Sequence, residues 1–150
     1  FDESIRVPLI VRLPDGRNAG AVVPGLVELV DLYPTLTELV GLPGPSHDLE
    51  GLSFVPLLEN PTRQWKSAAF SQSRRENYDG LSIRTARYRY TEWSPLGGGG
   101  VILAELYDLD QDPMEYENLA DEPAQASRVS ELSRRLAMGW RSTLPPRLAQ

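Results

Sequence analysis

A mostly apolar run at residues 7–13 constrains the fold of this chain more than any other sequence feature. The run, VPLIVRL, lacks the apolar–polar alternation of a half-exposed strand. Such a run suits a strand buried on both faces, as in a parallel or mixed sheet covered by helices. The N-terminal part of the chain offers only one helix, so we expect the neighbouring strands to lie outside this chain. Alone, the segment would present an apolar edge and favour self-association.

One helix is predicted to begin at Asp31, whose carboxylate can cap the first turn. Pro34 is tolerated in that turn because its backbone nitrogen needs no partner there. Apolar residues then repeat at helical spacing, namely Leu32, Leu36, Leu39 and Val40. Gly41, followed by Pro43, ends the helix.

The middle of the chain has the pattern of antiparallel strands. Strands are predicted at residues 68–71, 81–85, 88–93 and 105–109. A tight turn at Ala86-Arg87 joins the second and third of them. In the third strand Tyr88 and Tyr90 share one face, and the residues on the other face are Arg89, Thr91 and Trp93. The glycines at residues 97–100 form a loop.

A C-terminal helix is predicted to start near Asp121 and Pro123. Its apolar stripe consists of Val129, Leu132, Leu136 and Trp140. Upstream, Asp112 and Glu115 have the spacing of a capping box around Pro113. The order of elements predicts an α+β fold in which a small antiparallel sheet of about four strands packs with a C-terminal helix. A strand–helix piece of a larger α/β domain precedes the sheet. The predicted divisions are 1–62 (that piece), 63–141 (the sheet subdomain) and 142–150 (a tail).

Charge and composition exclude several classes of function. The net charge of −6 argues against binding to nucleic acid or an anionic membrane. Cysteine is absent, which excludes disulfides, thiolate metal sites and cysteine nucleophiles. The single histidine, His47, argues against a histidine-rich metal centre or a Ser-His-Asp triad. We interpret His47 as a surface loop residue, with a contact at a substrate rim as the alternative. The compartment is left open.

Two clusters of charged residues are candidate binding sites. An acidic run resembles a calcium loop, with members Asp108, Asp110, Asp112 and Glu115. It lacks the glycine and the bidentate glutamate that such a loop requires, so we interpret it as a capped turn. Arginines are also interleaved with aromatic residues, namely Arg74, Arg75, Arg84, Arg87 and Arg89 with Tyr78, Tyr88, Tyr90 and Trp93. This second cluster suits recognition of an anion or a sugar face, or simply cross-strand packing with arginines paired to Glu76 or Glu92.

Several segments, taken in order, resemble the C-terminal half of type I sulfatases. They are RVPLI at 6–10, VELVDLYPTL at 27–36, the stretch from Gly51 to PLL at 56–58, and ELYDL at 105–109 with DP at 112–113, Glu115 and NLA at 118–120. The segments SIRT at 82–85 and YRYTEW at 88–93 resemble the iduronate-2-sulfatase branch in particular. Together the similar segments extend over nearly the whole chain.

The resemblance implies the C-terminal part of a sulfuric ester hydrolase of the alkaline phosphatase superfamily. Such enzymes combine a large α/β domain with a smaller C-terminal subdomain. They use a formylglycine nucleophile, made from Cys or Ser in a C/S-x-P-x-R motif, and a calcium ion. The resemblance also implies a periplasmic or secreted parent enzyme.

No catalytic or metal-binding residue of that family transfers to this sequence. There is no Cys, and no Ser precedes an x-P-x-R string; TLPPR at 143–147 has Thr in that place and is read as a coincidence. The chain alone is therefore expected to be inactive, to need the missing N-terminal sulfatase domain as its partner, and to wall the substrate cleft. The substrate would be a sulfated sugar or glycosaminoglycan.

The residues we expect near that cleft are Gln72, Arg74, Arg75 and Arg84. Two alternatives stay open. One is a stand-alone module that binds a carbohydrate or a protein partner. The other is a hydrolase of the same superfamily that acts on phosphonate or phosphate monoesters, against which the SIRT and YRY strands argue.

Overall fold

The structure, a computed structural model, describes residues 1–145. The helices are α1 (Asp2–Ile5), α2 (Leu32–Leu39), α3 (Val55–Glu59) and α4 (Ala126–Met138), with 3-10 turns at Leu29–Asp31, Pro123–Gln125 and Trp140–Thr143. The strands are β1 (Ala69–Arg75), β2 (Tyr78–Arg84), β3 (Tyr88–Pro95) and β4 (Leu103–Asp108). The α+β class and the predicted sheet with its C-terminal helix are confirmed.

The four strands form an antiparallel meander in the order β1-β2-β3-β4. The predicted turn at Ala86-Arg87 is present, because the backbone N–H of Thr85 donates to the carbonyl of Tyr88 at 2.8 Å. The outer edge of β4 is covered by the chain that follows it. There Asn118 Oδ1 accepts from the N–H of Leu106, and the N–H of Leu119 donates to the Leu106 carbonyl. Strand β1 forms the other edge of the sheet.

Helix α4 packs on one face of the sheet and completes a hydrophobic core. The buried members of this core are Ala68, Ile83, Tyr90, Leu106, Leu132 and Leu136. The predicted stripe of α4 is correct for Leu132 and Leu136, and Val129 packs against them. Trp140 lies beyond the helix end, which Gly139 produces with a φ of 74°. Burial raises the pKa of Tyr90 to about 12, and a hydrogen bond to Glu92 adds to the shift.

The described residues group into two compact units. The first, which we call the sheet unit, comprises residues 1–8 and 67–144, and the second, the helical unit, comprises residues 9–66 with Pro145. The divisions proposed from the sequence at residues 62–63 and 141–142 stay predictions. The predicted tail falls partly on residues 146–150, which lie outside the described residues. Between residues 1 and 145 no helix is both long and apolar enough to cross a bilayer.

Residues 7–13 form no strand within this chain, contrary to the expectation for that segment. The four described strands pair only among themselves, so the segment has no neighbour to which it could add. Four of its apolar side chains are exposed, namely Val7, Leu9, Ile10 and Val11, and Ile10 reaches 91% exposure. A strand requires a hydrogen-bonded partner, and within residues 1–145 none is offered to this segment.

Helix α2 occupies the predicted position, but its buried face differs from the prediction. Leu36 and Val40 are exposed to 59% and 65%, whereas Thr35 is buried. The Thr35 hydroxyl donates to the Asp31 carbonyl at 2.6 Å and accepts from the N–H of Phe54 at 2.9 Å. A polar residue thus anchors α2, and much of the predicted apolar stripe faces outward.

Asp31 starts the helix but does not cap it with its side chain. Its carboxylate accepts from the backbone N–H of Glu28 and Leu52 and from Lys66 Nζ, which lies 2.7 Å from both oxygens. Lys66 also contacts Glu28 Oε2 at 2.9 Å. Asp31 is fully buried, and the Lys66 side chain is only 2% exposed. This ion pair joins the start of α2 to the end of the helical unit.

Replacing the lysine is expected to destabilise the chain strongly. Lys66→Met would leave a buried carboxylate without its cation, a change that costs about 3–5 kcal/mol in free energy of unfolding. Urea unfolding followed by circular dichroism measures the change. Arg74→Met, which removes the cation of an exposed pair with Asp79, is the matched control and should have little effect.

If Lys66→Met fails to fold, the double variant Asp31→Asn with Lys66→Met decides the question. Removing both charges should recover part of the loss, because no charge is then buried alone. Equal stability of the single variant and the unmodified chain would contradict the structural role of this pair.

Candidate functional site

The register of the sheet separates a polar face from the face that packs on α4. Paired residues across β1, β2, β3 and β4 place the following side chains on the polar face: Ser71, Ser73, Arg75, Ser82, Arg84, Arg89, Thr91, Trp93 and Glu105. The predicted division of β3, with Arg89, Thr91 and Trp93 on one side, is therefore correct. Hydroxyls of Ser82 and Thr91 lie 2.7 Å apart across the strands.

Arg89 lies at one end of the polar face, opposite Arg84 and Tyr107 in the register, and is only 3% exposed. Its guanidinium forms a buried ion pair with Glu115 and donates to the Thr91 hydroxyl at 2.9 Å. The rings of Phe1 and Tyr107 lie 5.5 and 4.9 Å from its carbon Cζ, at distances typical of cation–π contacts. Burial raises the pKa of Tyr107. Arg89 is therefore held on several sides and is not free to bind an external anion.

Glu115 does not form the capping box that the sequence predicts for its turn. Its φ of 57° lies in the left-handed region, and its carboxylate points inward to Arg89 and to the backbone N–H of Asp2. Asp112 does accept within the turn, from the N–H of Glu117 at 2.9 Å. Glu115 is itself only 5% exposed, and a buried carboxylate is stabilised more by a charged partner than by a cap within its turn. The ion pair with the buried arginine therefore forms instead of the cap.

The four residues predicted from the sequence to face a substrate do not share one face. Gln72 and Arg74 project on the side of α4, whereas Arg75 and Arg84 project on the polar face. Arg74 pairs with Asp79 at 3.0 Å. Arg84 pairs with Asp2 at 3.0 Å, which fixes its guanidinium beside α1.

Arg75 is exposed and stacks on Trp93, with its Cζ 5.4 Å from the ring centroid. Trp93 in turn lies over Gly80, where a Cβ atom would come within 2.7 Å of the indole ring. Glycine is thus required at this position for the ring to lie flat on the strand. Arg75 and Trp93 form a cationic and aromatic ledge at the end of the polar face.

The alternative interpretation of the arginine cluster, cross-strand packing, is correct, but the acidic residues predicted to pair with the arginines are wrong. Glu76 and Glu92 were expected to pair with the arginines. Instead Glu92 accepts from the Tyr90 hydroxyl, and Arg87 forms a bidentate pair with Asp108 at 2.8 and 2.6 Å. The sequence placed Trp93 in the arginine and aromatic cluster and Glu115 in the acidic run, but it did not predict the contact of Trp93 with Arg75 or that of Glu115 with Arg89.

The helical unit carries a separate apolar groove of about 690 Å³. It is lined mainly by residues 9–23, together with Phe54, Leu57 and Leu58. Val22 at this groove is 86% exposed. The groove offers apolar contacts and few polar groups with which it could orient a small ligand.

The described residues do not fit the metal site of the sulfatase family. Within residues 1–145 no three His, Cys, Asp or Glu side chains come together in a way that could hold a metal ion. The acidic run does not converge on one point, because Asp108 binds Arg87, Glu115 binds Arg89 and Asp110 is exposed. His47 is exposed in its loop.

Asp108 is expected to make stability depend on pH. Its hydrogen bonds to Arg87 hold its pKa below the ordinary value of 3.8. Because the pKa is lower in the folded state, the pair stabilises the chain above that value, and the contribution is lost as the pH falls through the folded pKa. Asp108→Asn should lower the urea midpoint at pH 7, and the difference from the unmodified chain should shrink in acid.

Asp110→Asn is the matched control for this measurement. Asp110 lies 3.7 Å from the same Arg87, but its side chain is 62% exposed. A pH-independent difference for Asp108→Asn, or an equal effect of both variants, would contradict the role given to the bidentate pair.

Comparison with known proteins identifies relatives over almost the entire chain. Residues 1–141 match the family described as N-sulphoglucosamine sulphohydrolase, C-terminal. The chain is similar to arylsulfatase K of Homo sapiens, with 33% identity over 130 residues, which make up 80% of this chain and 23% of that protein. It is also similar to a Δ4,5-hexuronate-2-O-sulfatase of Bacteroides thetaiotaomicron. That identity is 33% over 139 residues, 87% of this chain and 27% of the relative.

Solved structures share the same fold. The phosphonate monoester hydrolase of Agrobacterium radiobacter superposes with a TM-score of 0.64 at 27% identity, over 79% of this chain and 25% of that chain. The chain therefore spans about a quarter of the length of the relatives that it matches.

Proposed function

The chain belongs to the family of C-terminal regions of N-sulphoglucosamine sulphohydrolases, and we propose that it serves as the C-terminal subdomain of a sulfatase that acts on a sulfated sugar. The match of the family across residues 1–141 is the observation that carries this proposal. The resemblance of SIRT and YRYTEW to the iduronate-2-sulfatase branch favours a 2-O-sulfated hexuronate within a glycosaminoglycan-type chain. The relative named as a hexuronate-2-O-sulfatase supports that substrate class.

In this proposal the chain contributes surface to the enzyme and no reacting group. Formylglycine would require a Cys or Ser in the C/S-x-P-x-R motif, which the sequence lacks. The described residues likewise do not fit the calcium site of the family. The nucleophile and the metal would then belong to an N-terminal catalytic domain, and no chemical step is assigned to residues of this chain.

The edge strand β1 is the part of the chain that we expect to line the substrate cleft. Side chains from both faces of an edge strand can reach a ligand that lies along the edge. Gln72 and Arg75 are exposed there, and Arg74 retains donors beyond its pair with Asp79. Arg84 lies at the far end of the strand pair and is held by Asp2, so we expect a smaller contribution from it. Guanidinium groups suit sulfate and carboxylate, and Trp93 beside Arg75 offers an aromatic surface to a sugar ring.

The apolar surface of the helical unit supports an N-terminal domain as the partner. Ile10, Val22, Leu36 and Val40 are each more than half exposed. Exposed apolar surface of this extent marks an interaction site or an association hazard. We propose that the catalytic domain covers this surface and supplies the strand beside residues 7–13.

Sulfatase assays test the proposal. The 150-residue chain alone should not turn over 4-nitrocatechol sulfate, whereas the full-length product of its reading frame should release sulfate from a 2-O-sulfated hexuronate disaccharide. In that full-length enzyme, Arg75→Ala should raise KM about 10-fold, since a charge-assisted contact is worth about 1.5 kcal/mol. The matched control, Arg134→Ala, changes an exposed arginine of α4.

Three outcomes would contradict parts of this function. Turnover by the chain alone would contradict its expected inactivity. Hydrolysis of a phosphonate monoester without hydrolysis of the sulfate would favour the other branch of the superfamily, to which the structure from Agrobacterium radiobacter belongs. Tight calorimetric binding of sulfated glycans by the chain alone, with a monodisperse monomer, would favour a stand-alone binding module.

The exposed apolar surface also predicts self-association of the isolated chain. Sedimentation velocity should show concentration-dependent oligomers, and Ile10→Lys together with Val22→Lys should reduce them because the new charges oppose apolar contact. Tyr116→Lys, at a ring of the sheet unit that is 83% exposed, is the matched control and should leave the oligomers unchanged. A chain that stays monomeric at all concentrations would contradict the prediction that this exposed apolar surface is an association site.

A further inference from the structure

Two buried nitrogen donors on the polar face have no hydrogen-bond acceptor among the described residues. They are Nη2 of Arg89 and Nε1 of Trp93. The Arg89 side chain is only 4% exposed, so bulk water does not reach it freely. A donor left unpaired in such surroundings destabilises a fold, which is why buried polar groups are nearly always paired with protein or ordered water.

Both residues line one small cavity on the polar face. Its volume is about 40 Å³, and its wall contains the hydroxyl-bearing side chains Ser71, Ser73, Ser82 and Thr91. The Glu105 carboxylate also faces it and lies 3.9 Å from Arg89 Nη2. That distance is too long for a direct hydrogen bond and is suited to a bridging molecule.

Size and charge restrict what this cavity can hold. A water molecule needs about 10–15 Å³ of such volume, so the cavity has room for about three at most and none for a sulfate or a sugar. The charged side chains that line the cavity are Arg75, Arg89 and Glu105. Glu115 lies outside the lining but pairs with Arg89, so these four side-chain charges cancel. An anion would gain little there and would approach the Glu105 carboxylate, whereas water can accept from the two donors and donate to Glu105.

We propose that the cavity is a site for ordered water that accepts from Arg89 Nη2 and Trp93 Nε1 and donates to Glu105. The water completes the hydrogen bonding of the buried arginine and fixes the orientation of the indole on which Arg75 stacks. This inference concerns the folded chain and does not depend on the proposed sulfatase function.

Water–protein NOE and ROE spectra of the 150-residue chain test the proposal. The indole proton of Trp93, assigned with Trp93→Phe, should show water cross-peaks of opposite sign in the two spectra, the signature of long-lived bound water. Trp65 provides an internal control, because its Nε1 is also buried and unpaired but the residue packs in an apolar cluster with Phe54 and Leu57. Its indole proton should show no such cross-peak, since apolar surroundings stay dry.

Two variants at Glu105 and one at Ser73 sharpen the result. Glu105→Gln keeps an acceptor and should preserve the Trp93 cross-peak, whereas Glu105→Leu removes the acceptor and should weaken it at least several-fold. Ser73→Ala should preserve it as well, which excludes a signal relayed through the exchanging hydroxyl of Ser73. Dispersed amide spectra show that each variant is folded.

Two outcomes would overturn the proposal. Absence of the Trp93 cross-peak in the folded, unmodified chain would mean that the cavity is dry. A saturable shift of the Trp93 indole signal on addition of sodium bromide, with loss of the water cross-peak, would mean that the site takes an anion instead.

Discussion

A buried arginine on one face of the sheet determines how the rest of the sheet unit is built. An arginine guanidinium keeps its charge in proteins, so the charge of a buried one must be balanced where it lies. Glu115 supplies the balance, and its own backbone adopts a left-handed conformation. This ion pair also fixes the segment that follows β4. Within that segment Asn118 and Leu119 cover the outer edge of the strand.

The same requirement explains the contrast between the two faces of the sheet. Toward α4 the strands present Ile83 and Leu106, whose burial needs no polar partner, and Tyr90, whose hydroxyl donates to Glu92. Around Arg89 the neighbouring strands present hydroxyls and a carboxylate, because an apolar lining would leave guanidinium donors unpaired. The helical unit repeats the pattern on a smaller scale, where the single lysine is buried against Asp31. In both units the carboxylate that pairs with the buried cation also accepts from backbone N–H groups distant from that cation in sequence.

The local sequence pattern was sufficient to predict the sheet, but it was not sufficient to predict the two buried ion pairs. The Ala86-Arg87 turn, the division of β3 and the buried stripe of α4 follow from period and turn chemistry within a few residues. The partnership of Arg89 with Glu115 joins residues 26 positions apart, and that of Lys66 with Asp31 joins residues 35 apart. Both acidic residues were assigned local capping roles, since spacing alone cannot show that a distant buried cation competes for the same carboxylate. The candidate residues Gln72, Arg74, Arg75 and Arg84 were grouped by composition, and the strand register separates them onto two faces.

The segment at residues 7–13 shows how a failed prediction of secondary structure can still carry information. Its sequence specifies burial on both faces, and residues 1–145 provide neither a neighbouring strand nor a cover for Ile10. Sequence and structure disagree here only if the 150 residues are taken as a complete folding unit. For a chain that matches about a quarter of the length of its sulfatase relatives, the disagreement has a simple physical cause. An apolar strand is stable only when another strand satisfies its backbone groups, and under the proposed function the N-terminal catalytic domain would supply that strand.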